Sequence, residues 1–385
     1  MATDGITPFI GPLYAALDTF NRELTGFIPS VSRNTVETRV KIGQEVRSPV
    51  VTSDKPRDTY EGNTSADEGN GSAEEVVFTI EKSRYVPIKF SGEEDLGTTA
   101  SGTYDSIVIG KIQSAYRQLI NEMEEYLAAK AIAGGTRATG TAGTTPFGTA
   151  GNLMDFANLA KILDDNGAPR TDRNLVVNST AMANLRGLQT ILLKANEAGT
   201  TEFLRTGYLT SPLTGFGLFD SAGLVTHTAG TATGLLINKD PKIAAGTRVL
   251  DVDTGTGTVL PGDIITINGD SNKYVVNVGG TDPTSLTIGN PGLLKDAANN
   301  AAVTVGSDYL PSVAFQKDAI VLGTRLPSAP RDGDAAEGVE IITDPYTGIQ
   351  FEARLYKQHR QNVLEIGIAY GAVVAKPDNV ALLLG

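Results

Sequence analysis

The sequence predicts an α+β chain carrying an all-β insertion, on the strength of three observations. Between Tyr104 and Ala133 one helical period runs without proline and, past Gly110, without glycine. Before it, at 35–90, and after it, from Val339 onward, the pattern is that of strands. Between Leu235 and Pro311, short β runs are separated by glycine-, asparagine- and aspartate-bearing turns. With 385 residues, the chain exceeds the usual single domain, so several compact parts are expected. Their limits read as 1–34 for an N-terminal arm, 35–90 for a β ribbon, 91–150 around the long helix, 151–231 for a mixed α/β part, 232–312 for a β-barrel and 313–385 for closing strands.

In the arm, a helix is expected at Leu13–Leu24, between Pro12 and Pro29, with too little apolar surface to make a domain. Next comes a strict alternation. Val36, Thr38, Val40 and Ile42 point one way, and Glu37, Arg39 and Lys41 the other, which predicts a half-buried strand. The return runs through Val76, Phe78 and Ile80, and later Val86, Ile88 and Phe90. Between the two lies the polar stretch Ser53–Ser72. The whole reads as a long two-stranded ribbon with a charged tip. An isolated ribbon is marginal in water, so this one is expected to lean on a second subunit rather than stay a free surface loop. Lys55, Arg57, Asp58 and Glu61 are the expected subunit-contact residues.

The long helix would span about 45 Å at 1.5 Å per residue. Val108, Ile112, Ala115, Tyr116, Leu119, Met123, Tyr126 and Leu127 mark its apolar face, and Gly134-Gly135 ends it. Glu122, Glu124 and Glu125 are expected on its solvated side. Beyond it, Leu153–Asp164 reads as an amphipathic helix and Asn174–Val177 as a strand. Asn178-Ser179-Thr180 supplies caps for a helix from Ala181. The barrel strands are expected at Arg248–Val252, Ile264–Ile267, Tyr274–Val278, Leu286–Ile288 and Val303–Val305, around a Val, Ile and Leu core. Thr228–Gly234 and Pro311-Ser312 read as linkers, and the block between them as a unit able to fold alone. Longer strands follow at Val339–Ile342, Gly348–Tyr356 and Val363–Val374.

Composition narrows the chemistry. There is no cysteine, which excludes disulfides, thiol nucleophiles and thiolate metal sites. No apolar run reaches about 18 residues, so no membrane span is expected, and Met1–Thr7 shows no signal-peptide pattern. The formal net charge is −12 without a basic stripe. A nucleic-acid groove needs clustered Lys and Arg to displace counterions, so tight DNA binding is not expected. No nucleophile elbow, phosphate loop or dinucleotide fingerprint occurs. His227 and His359, the two histidines, have no ligand spacing, and His359 beside Arg360 reads as a surface residue. Asp251-Val252-Asp253-Thr254-Gly255 has Gly255 at the fifth position of a calcium loop and Gly262 at the twelfth, so a turn is expected there. No catalytic, metal or cofactor-binding residue is assigned, and no enzyme activity is expected.

Three C-terminal segments complete the pattern: Val313-Ala314-Phe315-Gln316-Lys317-Asp318-Ala319-Ile320, Thr343-Asp344-Pro345-Tyr346-Thr347-Gly348 with the Phe351–Tyr356 strand, and Ala369-Tyr370-Gly371-Ala372-Val373-Val374 before Lys376-Pro377. Following arm, charged ribbon, long helix, α/β part and β insertion, they resemble the return segment, hairpin and closing strands of tailed-bacteriophage major capsid proteins. The resemblance is to the Hong Kong 97 fold, and more narrowly to the P-twenty-two-like coat family, which has an inserted β-barrel domain. It implies an extended E-loop at about Thr35–Phe90, a P-domain containing the spine helix Tyr104–Ala133, and an A-domain near Asn152–Thr228.

The resemblance also implies a function. Such proteins self-assemble as hexamers and pentamers into an icosahedral shell that encloses double-stranded DNA and expands from a procapsid. The implied partners are other copies of the chain, a portal protein, a decoration protein in some members, and DNA that is enclosed but not sequence-specifically bound. No membrane is involved. The implied place is the virion capsid, assembled in the host bacterial cytoplasm. Some members carry a long N-terminal scaffolding segment; here the ribbon fills the sequence before Tyr104, so a separate scaffolding protein is expected. Some members also form a Lys–Asn cross-link. Lys55 lies in the ribbon, but no motif marks its partners and the narrower family lacks that bond. The alternative is an encapsulin-type compartment shell, which shares the fold but is usually built without a barrel insertion. An enzyme would need a convergent polar site, and a tail or fibre protein is disfavoured by the long helix and the lack of repeats.

Overall fold

A computed structural model of the chain describes residues 6–21, 26–50, 74–93, 104–189, 205–206, 212–331 and 333–385. Helix α1 (Thr7–Asn21) begins before the expected start and carries Pro12 inside it. Proline removes one intrahelical bond. Burial of Phe9, Leu13, Ala16 and Leu17 outweighs that loss, because α1 lies on the long helix and joins the main core. The arm therefore has more apolar surface than its sequence suggested. One helical turn, α2 (Phe27–Ser30), follows, with Phe27 and Ile28 buried.

Strand β1 (Ser32–Val40) is not part of the ribbon. It runs parallel to β19 (Ile320–Pro327) and bulges between Thr35 and Arg39. That bulge explains why the expected inward row fails: Val40 is buried, but Val36, Thr38 and Ile42 are exposed. The ribbon itself is the antiparallel pair β2 (Glu45–Val50) and β3 (Glu74–Thr79). Strand β4 (Lys82–Ser91), expected as its continuation, pairs instead over its full length with β22 (Gln361–Val374). Helix α3 has the expected limits, Tyr104–Ala133, and buries Val108, Ile112, Ala115, Tyr116, Leu119, Met123 and Leu127.

The α/β part contributes β5 (Arg137–Gly140), α4 (Met154–Asp165), β6 (Arg173–Val177), α5 (Ser179–Leu188) and β7 (Gly217–Asp220). Asn178 caps α5 as expected, its side chain accepting from Ala181 N at 2.8 Å. In the insertion, the strands are β8 (Leu235–Ile237), β9 (Lys242–Ile243), β10 (Val249–Asp253), β11 (Thr258–Val259), β12 (Ile264–Ile267), β13 (Lys273–Val278), β14 (Gly280–Thr281), β15 (Ser285–Ile288), β16 (Ala297–Ala298) and β17 (Ala302–Val305). Six of them close into a ring, β12-β17-β8-β10-β15-β13 and back to β12. The interior is aliphatic except for Tyr274, whose hydroxyl donates to Asp270 at 2.6 Å.

The chain returns through β18 (Pro311–Gln316), β19 (Ile320–Pro327), β20 (Ala336–Thr343), β21 (Gln350–Gln358), β22 (Gln361–Val374) and β23 (Val380–Leu384). Pro311 and Ser312 are not a linker: both are buried at the start of β18, which runs between β23 and β6. A proline at the first position of a strand needs no donor there. One sheet runs β13-β5-β23-β18-β6-β7, so the barrel is hydrogen-bonded into the α/β part through β5. A second sheet has the order β1-β19-β22-β21-β20, with β4 on the other edge of β22.

Candidate functional site

The second sheet has two unlike faces, and period-2 alternation decides which residue lies on which. On β22, Leu364, Ile366, Ile368, Tyr370 and Ala372 face α3 and α1, together with Ile88 and Phe90 of β4 and Phe351, Ala353 and Leu355 of β21. Tyr116 of α3 meets Phe351 edge-on at 5.0 Å. Among the described residues, no helix covers the opposite face. At one end it receives the root of the ribbon: Val46, Phe78 and Ile80 pack on Val321 and Ala369. Contact is close enough that a Cβ on Gly371 would stand 2.2 Å from the Thr79 carbonyl oxygen, and one on Gly323 would stand 2.4 Å from the Phe78 ring. The root is also tied to α3, by Lys130–Glu81 at 2.7 Å, Tyr126 Oη to Glu81 at 2.9 Å and Arg84–Glu122 at 2.6 Å.

The other end of the same face is charged. Glu352 and Arg354 alternate with the apolar residues of β21, yet only 2% and 8% of them are exposed. Arg354 pairs with Glu352 at 3.1 Å and with Asp334, to which Tyr356 Oη also donates at 2.9 Å. Arg39 of β1 reaches across to Glu352 and donates to the Pro327 carbonyl at 3.0 Å. The segment after β19 lies over the cluster and leaves a pocket of about 200 Å³ floored by Glu352, Arg354 and Glu365. Burial would lower the Arg354 pKa, but Glu352, Tyr356 and Asp334 outweigh it and hold the guanidinium protonated. Burial, with Glu352 and Asp334 nearby, pushes Glu365 up against the pull of Arg354. Around this charged floor, Tyr85, Val339 and Ile341 stand exposed on the same face. Exposed apolar side chains grouped on a sheet face beside desolvated charges mark a candidate contact surface.

Lys55, Arg57, Asp58 and Glu61, the contact residues expected from sequence, lie outside the described residues. Of the three glutamates expected on the solvated side of α3, Glu122 and Glu125 are there, but Glu124 is buried. Its carboxylate accepts from Phe27 N at 2.7 Å, Ile28 N at 2.8 Å and Ser221 Oγ at 3.0 Å. One side chain thus joins the arm, the long helix and the loop after β7. Burial pushes its pKa up, and the donors from Ile28, Phe27 and Ser221 oppose the shift. A Cβ on Gly26 would lie 2.4 Å from this carboxylate, so only glycine fits at that bend.

At the neck of the barrel the entering and leaving segments form an isolated bridge, His227 N to Tyr309 O at 2.9 Å and Tyr309 N to His227 O at 3.2 Å. His227 Nε2 lies 2.9 Å from Asp263, which is fully buried and also accepts from Leu260 N and Gly230 N. This histidine is thereby a packing element of the neck. His359 sits exposed in the β21–β22 turn. Asp251 pairs with Lys239 at 3.4 Å on the barrel surface.

No protein-family model matches the chain, and no curated protein matches it. Among solved structures, it is similar to that of Mycobacterium phage Che8, at 15% identity over 94% of this chain and 91% of that one, with a TM-score of 0.45. It is similar to the capsid structure of the cyanophage P-SCSP1u, at 13% identity over 94% and 88%, with a TM-score of 0.44. A virus-like particle from Pyrococcus furiosus is also similar, at 10% identity over 97% and 99%, with a TM-score of 0.45.

Proposed function

We propose that the chain is a major capsid protein of the Hong Kong 97 type, which assembles with copies of itself into an icosahedral shell around phage DNA. The carrying observation is the two-faced sheet. One face is sealed by α3 and α1, while the other holds the ribbon root at one end and a charged pocket with an exposed apolar rim at the other. A subunit in a curved shell needs such a laterally exposed, partly desolvated surface, and an isolated protein gains nothing from keeping it open. The ribbon tip, with Lys55, Arg57, Asp58 and Glu61, is the companion contact on the reading made from its sequence.

Electron microscopy of the expressed protein tests this: closed shells or tubes support it, and monodisperse monomers at high concentration reject it. Deleting 54–71 should abolish closed shells. Exposed ion pairs contribute roughly 0–1 kcal/mol each, so assembly depends on their repetition by symmetry. The finer reading is assembly as hexamers and pentamers in the host bacterial cytoplasm, assisted by a separate scaffolding protein, with a portal protein and, in some shells, a decoration protein. If expression of this chain alone yields only uniform, correctly sized shells, the scaffolding partner is rejected. Mass spectrometry of native particles separates a DNA-filled capsid with a portal from a compartment holding a packaged enzyme.

A further inference from the structure

A cleft of about 250 Å³ opens between the barrel and the α/β part. Arg137 of β5, Lys161 and Asn158 of α4, Ser271 and Asn272 of the turn before β13, and Lys273 at its first position converge on it. None of its lining residues is acidic, although the chain has 44 acidic residues against 32 basic ones. Arg137 is only 4% exposed. Its Nη2 donates to the Ile162 carbonyl at 3.1 Å and to Asn166 at 2.8 Å, while its Nε is buried with no hydrogen-bond partner among the described residues. Asp165 at the rim lies 3.7 Å from Arg137 and 3.6 Å from Lys161, so one carboxylate is shared by two cations. Asp270 is engaged by Tyr274 and Asn272. Lys273 donates to the Gly140 carbonyl and keeps two further donors on its ammonium group.

We propose that this cleft binds a phosphate-class oxyanion, either free phosphate or the phosphodiester of a nucleic acid. Three cationic groups with amide and hydroxyl donors between them match an anion with oxygens on every side. The bound anion would bridge the barrel turn at 271–273 to α4 and so stiffen the seam between the two parts. The inference concerns this seam alone and stands whether or not the chain forms shells.

The test uses the full-length protein, with inorganic phosphate as the probe against chloride at matched ionic strength. Calorimetric titration should show saturable phosphate binding and a phosphate-dependent rise in melting temperature. Lys161→Gln, at an exposed residue, should leave the melt in chloride unchanged and weaken phosphate binding roughly tenfold, the effect of one charge-assisted hydrogen bond. Lys273→Gln should weaken it likewise, and Lys161→Gln decides alone if that variant folds poorly. A labelled single-stranded oligonucleotide distinguishes the sources: competition with phosphate identifies phosphodiester binding, and phosphate binding without it identifies the free ion. Equal behaviour in phosphate and chloride overturns the proposal. So does a phosphate effect that both substitutions leave intact, which would be general salting-out stabilisation.

Discussion

Replacing Glu124 by glutamine tests the junction of arm, long helix and loop at a single atom. Glu124 Oε2 accepts from Phe27 N and Ser221 Oγ, and Oε1 from Ile28 N. A glutamine has one oxygen; its amide nitrogen accepts nothing, so whichever way it turns, at least one buried donor loses its acceptor. That loss costs about 1–3 kcal/mol. The pH dependence has a defined sign. The folded pKa of Glu124 is raised by burial, so the folded state takes up a proton that the unfolded state holds less tightly. Stability from this group is therefore fully present below the unfolded pKa and is lost as pH rises through the folded value. A protonated carboxyl can still accept through both oxygens, which glutamine cannot. The gap between wild type and Glu124→Gln should thus be widest in acid and narrow as pH rises. Paired urea titrations across this range measure it, and the other carboxylates cancel in the difference. A gap that widens with rising pH, or no gap at any pH, refutes the reasoning.

Gly371→Ala places a methyl carbon against the Thr79 carbonyl, so overpacking should cost about 1–3 kcal/mol in a urea melt and loosen the ribbon root, read as faster amide exchange in β3. Wild-type stability and exchange would show that the root is not seated on β22. Asn178→Ala removes the cap to Ala181 N and the bond to the Pro311 carbonyl at 3.1 Å, and should cost about 1–3 kcal/mol by thermal unfolding. A loss under about 0.5 kcal/mol, the range of an ordinary surface change, rejects that role. A fragment spanning 227–309 keeps both the closed ring and the His227–Tyr309 bridge, and should give dispersed amide signals and a cooperative melt. A random-coil spectrum rules out independent folding of the barrel.

How far each element was legible depends on the distance over which its cause acts. The long helix was readable to both ends because period, composition and the Gly134-Gly135 stop are all local. The Asn178 cap was readable for the same reason. Helix α1 was not, since Pro12 reads as a boundary and the burial that overrides it comes from α3, far along the chain. Glu124 is a different case. It stands four residues after Ile120, three before Leu127 and seven before Ala131, all buried, so the helical period alone places it on the apolar side. Two neighbouring glutamates drew it to the solvated face instead. The charged floor of the sheet was legible only as an outward row: Glu352, Arg354 and Tyr356 alternate with Phe351, Ala353 and Leu355. Its burial comes from the segment around Pro327–Asp334 and from Arg39, neither of which is adjacent in sequence.

The barrel shows where a local reading leads to the wrong mechanical conclusion. Its strands are readable from turn signals, and its flanks read as short linkers around a unit able to fold alone. The flanks instead pair with each other at His227 and Tyr309, and Asp263 fixes the entering segment through Gly230 and His227. Strand β5 then sits between β13 on one side and β23 on the other, with Tyr274 opposite Arg137 and Lys273 opposite Ala138. Val275 N adds a bond to the Thr136 carbonyl at 3.0 Å, and Gly289 approaches Gly135 so closely that a Cβ would stand 2.8 Å from its oxygen. Any rotation of the barrel against the α/β sheet would have to break this ladder and the neck bridge together, exposing backbone groups that have no other partner. Barrel and α/β sheet are thus joined by strand pairing through β5, whereas the ribbon pair β2–β3 and helix α1 rest on the rest of the subunit through side-chain packing.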